Sequence, residues 1–243
     1  YFGTDKAAVR NAGAASPEYK GAKQLGDEKY DPGLLEWNTT YYWRIDEVNS
    51  LNPNSPWKGN VWPFTTANFL VVDDFEDYTD NDAANEAIWQ SWIDGFSTPA
   101  VNGSQVGNIL PPYAEQTIVH SGFQSMPFNY NIDQKYAEAT MTLTYPRNWT
   151  EKGVTTLTIW FRGDFINVAA PMYVAVNGTA VVNSDAIASR RDVWTQWDIP
   201  LKAFADKGVD LTNVNTIALG FGDKASPKPG GSGVVHFDDI RLR

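Results

Sequence analysis

Thr155-Thr156-Leu157-Thr158-Ile159-Trp160-Phe161-Arg162 alternates strictly, with Leu157, Ile159 and Phe161 on one side and Thr158, Trp160 and Arg162 on the other. A period of two is the signature of a strand with one buried face. The pattern recurs. Met172, Val174 and Val176 alternate against Tyr173, Ala175 and Asn177, and Asn177-Gly178 then supplies the residues that a tight hairpin turn demands. Trp197, Ile199 and Leu201 alternate against Trp194, Gln196 and Asp198, with Pro200 marking the strand's end. Ile217, Leu219 and Phe221 form a further strand, and a Gly/Pro/Lys loop from Lys224 to Gly233 leads into Val234–Leu242. Helical patterning is confined to short pieces around Asn81–Ile88 and Lys202–Asp206. Many short strands with Gly, Asn and Pro between them predict an all-β chain built of sandwiches, not a parallel α/β sheet.

Composition narrows the chemistry. The 243 residues are long for one small domain and comfortable for two. There is no cysteine, which excludes disulfides, thiolate metal sites and cysteine nucleophiles, and the two histidines, His120 and His236, cannot build a three-imidazole site. A net charge of −10 repels phosphate backbones, so nucleic acid is not an expected partner; cations and neutral ligands are. No apolar run approaches the length of a membrane span. The start, YFGTDKAAVR, lacks the pattern of a signal peptide, which is therefore absent or already removed. Ten Trp, eleven Tyr and twelve Phe suit either a large β core or a surface that stacks on flat apolar faces such as sugar rings.

A boundary falls near Thr66-Ala67-Asn68. Before it, Leu35-Glu36-Trp37-Asn38-Thr39-Thr40-Tyr41-Tyr42-Trp43 and, later, Val61-Trp62-Pro63-Phe64-Thr65-Thr66 resemble the last strands of a fibronectin type III domain. Leu35 and Tyr41 have that family's spacing between a leucine and the tyrosine whose hydroxyl pins a corner. The resemblance covers residues 1–66 and implies a partial sandwich, because a full one needs about 100 residues and seven strands. Either the chain was cut from something longer, or another element completes the exposed edge.

Residues 68–243 open with Val71-Val72-Asp73-Asp74-Phe75-Glu76 and close with Phe237-Asp238-Asp239-Ile240-Arg241-Leu242. This bracket resembles jelly-roll carbohydrate-binding modules, of which families 11, 4 and 22 compare best. The tandem looks like multimodular surface or secreted proteins of planctomycete-type bacteria. The resemblance implies a β-jelly-roll, an extracellular setting and a polysaccharide or glycan partner. It also implies a structural Ca²⁺ shared by the opening and closing strands. The positions concerned are Glu76 and Asp74, one of Asp238 or Asp239, and a loop containing Ser121 and Gln124. Composition gives partial support: six carboxylates lie between Asp73 and Asp82, a density that a hard cation would relieve. A merely solvated acidic face is the other reading.

Ligand residues are expected among outward-facing aromatics and their polar neighbours. Alternation turns Trp160 and Arg162 outward, likewise Trp194, Gln196 and Asp198, and also Tyr136, Glu138 and Thr140. Of Trp89 and Trp92, one is expected to be exposed. By resemblance the ligand-binding set is Trp92, Tyr136, Trp160, Arg162, Trp194 and Gln196. Catalysis is not expected. The paired-carboxylate strand of jelly-roll hydrolases, the lyase cluster, G-x-S-x-G, the P-loop, G-x-G-x-x-G and H-E-x-x-H are all missing. His120 is read as a loop residue beside the calcium and His236 as a surface residue. Asn38, Asn102, Asn148 and Asn177 lie in N-x-S/T sequons. The alternative to a glycan-binding module is a self-assembling extracellular protein, in which a neighbouring subunit contributes a strand to the incomplete sandwich of residues 1–66.

Overall fold

A computed structural model describes residues 1–243. The chain divides into two compact units, Tyr1–Asn68 and Phe69–Arg243.

Unit 1 holds β1 (Phe2–Gly3), α1 (Lys6–Asn11), β2 (Thr40–Trp43) and β3 (Trp62–Thr65). The strands make one antiparallel sheet in the order β1-β2-β3. Asp5 starts α1 by accepting from the Ala7 and Ala8 N–H groups. Its far end rests on Arg44, which is 1% exposed. The Arg44 guanidinium donates to the carbonyls of Val9 at 2.7 Å, Arg10 at 2.5 Å and Ala12 at 2.9 Å, and pairs with Asp46 at 2.7 Å. One side chain thus satisfies carbonyls that the end of a helix leaves unpaired. The Tyr41 hydroxyl accepts from Glu36 N–H at 3.0 Å. Phe2, Tyr41 and Phe64 stack across the sheet, while Trp43 and Trp62, paired in register, stand 37% and 54% exposed.

Unit 2 is a β-sandwich of jelly-roll type. Its elements are β4 (Leu70–Asp73), α2 (Ile88–Ser91), β5 (Trp92–Ile93), β6 (Ser104–Val106), β7 (Met126–Asn131) and β8 (Ala137–Thr142). There follow β9 (Thr156–Arg162), β10 (Met172–Val176), β11 (Thr179–Val182), β12 (Thr195–Pro200), α3 (Lys202–Ala205), β13 (Thr216–Phe221) and β14 (Ser232–Leu242). One antiparallel sheet runs β11-β10-β13-β8-β5; the other runs β12-β9-β14-β7-β6, with β4 also on β14. Leu157, Ile159, Phe161, Met172, Val174, Val176, Ile217, Leu219 and Phe221 are buried as alternation requires, but Thr158, Tyr173 and Ala175 on the opposite faces are buried too, and Trp197 is only half-buried. Phe128 of β7 and Phe237 of β14 meet Phe221 of β13 at centroid distances of 5.4 and 6.3 Å, which seats one sheet on the other. No helix is long and apolar enough to cross a membrane.

β14 organises its sheet. Ser232–Phe237 pair with β7, and Ile240–Leu242 pair with β4. On its other edge β14 pairs with β9 from His236 to Asp238 and again at Arg241 and Leu242, with a register shift between Asp238 and Arg241. This is a β-bulge, and Asp239 takes the left-handed φ of 49° there.

Arg44→Ala should destabilise unit 1 by about 3–5 kcal/mol, because it leaves Asp46 with only the Gly59 N–H and strips the carbonyls of Val9 and Ala12 of their donor. Denaturant unfolding followed by tryptophan fluorescence measures it. A cost below about 1 kcal/mol would mean that the guanidinium is dispensable.

Candidate functional site

The register of the five-stranded sheet sets out its outer face row by row. Val182, Tyr173, Gly220 and Glu138 lie opposite one another, and so do Ala180, Ala175, Ala218 and Thr140. Inward-facing neighbours are bulky and buried, whereas these outward rows are dominated by alanine, glycine and threonine. Small residues in the middle of a sheet leave a hollow. The loop after β13 walls it with Asp223, Lys224, Ser226 and Lys228, and the result is a trough of about 850 Å³.

A polar network crosses one end of the trough. Gly220 has no side chain, and a Cβ there would lie 2.3 Å from Tyr173 Cζ, so the tyrosine ring reaches across the glycine. The Tyr173 hydroxyl donates to Glu138 Oε2 at 2.9 Å, and Lys224 Nζ pairs with Glu138 Oε1 at 2.6 Å. Lys224 Nζ also lies 5.0 Å from the centre of the Tyr136 ring. Burial, then the Glu138 carboxylate, pushes the Tyr173 hydroxyl well above the ordinary tyrosine range. For Lys224, burial works against the ammonium, but the hydrogen bond and charge of Glu138 outweigh it, and its pKa lies above the usual lysine value. The trough therefore presents a fixed cation and a fixed anion side by side.

The residues expected to bind a ligand fall into two groups, with Trp160, Arg162, Trp194 and Gln196 together on the six-stranded sheet and Tyr136 and Trp92 elsewhere. Trp92 is 0% exposed, so it cannot stack on anything outside. The segment expected to be extended there begins as the helical turn Ile88–Ser91, and the Trp92 indole N–H donates to Asp73 at 2.7 Å. Tyr136 stands beside the trough. Trp160, Arg162, Trp194 and Gln196 belong to the six-stranded sheet side, where each is otherwise engaged. His120 stacks on Trp160 at 3.8 Å and 19° and turns its edge to Trp194 at 5.6 Å. Gln196 donates to its neighbour Asp198. Arg162 and His236 line a small recess of about 210 Å³, and His236 is half-buried with its pKa lowered chiefly by burial, not a free surface residue. Glu138 and Thr140 did face outward as alternation requires, while Tyr173 and Lys224 were missed as site residues. Tyr173 could have been found from the Asn177-Gly178 hairpin that orients β10; Lys224 sits in a loop without periodicity.

The residues expected to hold calcium divide in two. Asp238 Oδ2 accepts from the N–H groups of His120 at 2.8 Å and Ser121 at 3.3 Å. Asp239 accepts from the Ser121 hydroxyl at 2.9 Å, meets His120 Nδ1 at 2.6 Å and is paired with Arg241. Protein donors thus compensate both acids, and no three His, Asp or Glu side chains gather as a metal-holding group. Around Gln124 the donor chemistry differs. Its Nε2 has the carbonyls of Phe75, Glu76 and Tyr78 at 3.3, 3.3 and 3.0 Å. An amide nitrogen has only two hydrogens for three acceptors, and a convergence of oxygens is what Ca²⁺ requires. Glu76 Oε1 accepts from Phe123 and Gln124 N–H at 2.8 and 3.0 Å, an approach open only because residue 122 is glycine. Asp74 accepts from Glu76 N–H at 3.4 Å. Carbonyl oxygens thus converge around Gln124, whereas the Asp238 and Asp239 carboxylates are engaged by donors of the protein itself.

No protein-family model matches the chain, and no curated protein matches it either. Among solved structures, the family 11 carbohydrate-binding module of the cellulosomal cellulase Lic26A-Cel5E of Clostridium thermocellum is 16% identical with a TM-score of 0.39, over 72% of this chain and 93% of that one. A solution structure of CtCBM11 is 15% identical with a TM-score of 0.42, over 72% and 94%. The family 30 module of the cellulase Cel9D-Cel44B of Clostridium thermocellum is 14% identical with a TM-score of 0.39, over 54% and 80%. At these scores the likeness assigns this chain no ligand.

Burial raises Asp238 from an ordinary 3.8 to about 7, and the neighbouring Asp239 adds to it. The folded state then holds a proton that the unfolded chain releases near 3.8, so between the two values raising the pH costs stability. The melting temperature is expected to fall across that window, and Asp238→Asn should flatten the slope. A melting temperature that rises steadily through the window would contradict this.

Proposed function

We propose that unit 2 is a non-catalytic, extracellular glycan-binding module that takes a polysaccharide segment in the trough of the five-stranded sheet. The observation that supports this reading is the Tyr173–Glu138–Lys224 network at the side of a floor made of Ala175, Ala180, Ala218 and Thr140. A pyranose ring has apolar C–H faces and a hydroxyl rim. The alanine floor suits the faces, and a carboxylate beside an ammonium suits neighbouring hydroxyls, one accepting and one donating. Glu138 is committed to two protein donors and Asp223 to the N–H groups of Ala225 and Ser226. Acids so engaged are suited to holding hydroxyls in place, not to exchanging protons with a leaving group. In the same reading unit 1 is a partial fibronectin type III-like domain. Ca²⁺ would be held by Glu76, Gln124 and the carbonyls of Phe75, Glu76 and Tyr78, where it joins the start of unit 2 to the loop before β7.

A glycan array followed by calorimetry tests the trough. Glu138→Gln should weaken binding about tenfold or more, and Ala218→Leu, which fills the floor, should abolish it with the unfolding midpoint unchanged. Trp160→Ala and Trp194→Ala should leave affinity alone. No glycan on the array, or loss of binding in the two tryptophan variants instead, would overturn the assignment. For the ion, calcium at a hundredfold excess over its Kd should stabilise unit 2 by about 2.7 kcal/mol, and a chelator should remove that gain. Equal melting temperatures with and without chelator would dismiss the calcium.

A further inference from the structure

The sign of the whole chain disfavours anionic ligands, but its charges are not spread evenly. Unit 2 carries twelve Lys and Arg against twenty-one Asp and Glu, a net −9. The trough of its five-stranded sheet has the opposite balance. Lys135, Lys224 and Lys228 line it against Glu138 and Asp223, a net +1. Half of the unit's six lysines thus stand there with only two of its twenty-one acids. The rim leaves that balance alone, because Lys207 donates to the Ala180 carbonyl at 2.6 Å while Asp133 follows Ile132. The cavity beside β4, by contrast, is lined by Asp73, Asp74, Asp77 and Glu86 without a cation.

The acids of the trough are spent within the protein, and two of its lysines are not. Glu138 takes the Tyr173 hydroxyl and Lys224, and the Asp223 carboxylate takes the N–H groups of Ala225 and Ser226 at 3.0 and 3.2 Å. Neither Lys135 nor Lys228 is in an ion pair. Lys135 Nζ donates to the Pro99 carbonyl at 2.7 Å, which satisfies one hydrogen of the ammonium but none of its charge. The two lysines belong together. The Gln134 N–H donates to the Lys228 carbonyl at 3.1 Å and the Ile132 N–H to the Gly231 carbonyl at 2.9 Å, so the segments that carry them run side by side at one end of the trough. We infer, resting on the glycan reading of this trough, that its ligand is an acidic polysaccharide. The carboxylate or sulfate groups lie against Lys135 and Lys228, while a ring face rests on Ala175, Ala180 and Ala218. Charges more than about 8 Å away are largely screened at physiological ionic strength, so the lysines of the trough set the sign that an arriving chain meets there. A lysine is a compact point charge without the fixed fork of an arginine, which selects for the sign of a group and not for its geometry.

The test is calorimetry on the full chain with paired probes: an oligogalacturonate against its methyl ester, and a sulfated galactan against its desulfated form. The acidic member of at least one pair should bind about fivefold or more tightly than the neutral member, and its affinity should fall as NaCl rises from about 0.1 to 0.5 M. A preference in the first pair identifies the group as a carboxylate, one in the second as a sulfate. Lys135→Gln with Lys228→Gln should remove the preference, with circular dichroism and melting temperature reporting an intact fold. Lys152→Gln with Lys202→Gln changes the net charge equally, away from the trough, and should keep it. Neutral members that bind as well as their acidic partners overturn the inference, as does a preference that outlives Lys135→Gln with Lys228→Gln. Where Ala218→Leu still abolishes such binding, the glycan reading of the trough stands without the acidic class. Binding of none of the four probes overturns the inference, and where the glycan array is blank as well the reading of the trough falls with it.

Discussion

The bulge at Asp238–Asp239 is the constraint on which the six-stranded sheet depends. β14 serves β7 with its first half and β4 with its last three residues, and between those partners two residues have no ladder on that edge. Unpaired backbone in a sandwich interior is costly. Here the Asp239 N–H is taken by the Asp238 carboxylate, which also accepts from the His120 and Ser121 N–H groups, while the Asp239 carboxylate takes the Ser121 hydroxyl, the His120 ring and Arg241. Two adjacent buried carboxylates repel each other, so they persist only where donors surround them. Even so the balance is incomplete, because Arg241 Nε is buried without an acceptor. The same knot places His120 over Trp160, on the face where an aromatic platform was expected.

The opposite sheet solves a different problem. Its inner rows carry Met172, Val174, Phe221 and Leu219 to fill the core, and the middle of its outer face carries Ala175, Ala218 and Gly220. Small residues there leave a hollow without any bending of the backbone, and depth then comes from the loop that follows β13. Gly220 serves two ends at once: it keeps the floor low and lets Tyr173 cross to Glu138. Packing and recognition are thus coupled at one residue, since any side chain there would lift the tyrosine off its carboxylate and fill the trough.

Alternation in the sequence settles which way a side chain points but not which sheet carries it. That is why Tyr136, Glu138, Trp160 and Trp194 could all be read as outward-facing and still not form one site. The class of fold was legible because β9 sets Leu157, Ile159 and Phe161 inside against the half-exposed Trp160 and Arg162, and the Asn177-Gly178 turn fixes β10 against β11. Trp92 misled because Ile88–Ser91 is a single helical turn, too short for any 3.6-residue period to show. The acidic run is engaged in ways that composition cannot show. Asp73 and Asp74 accept from the N–H groups of Phe75 and Glu76 two residues on, and Asp80 accepts from the distant Tyr113 N–H, bonds that a count of carboxylates cannot distinguish from ligands. The cage at Gln124 has the reverse character: it is built of backbone carbonyls, which leave no mark in composition.

Under the proposed reading the shape of the trough sets its affinity. A groove floored with alanine would offer a sugar chain little stacking area, and the Tyr173–Glu138–Lys224 network only a few directed bonds, so a single trough would bind weakly. A long polysaccharide that met several copies held close together would make each further contact effectively intramolecular, and avidity of about 10²–10⁴-fold over one site would then come with no new contact to the sugar.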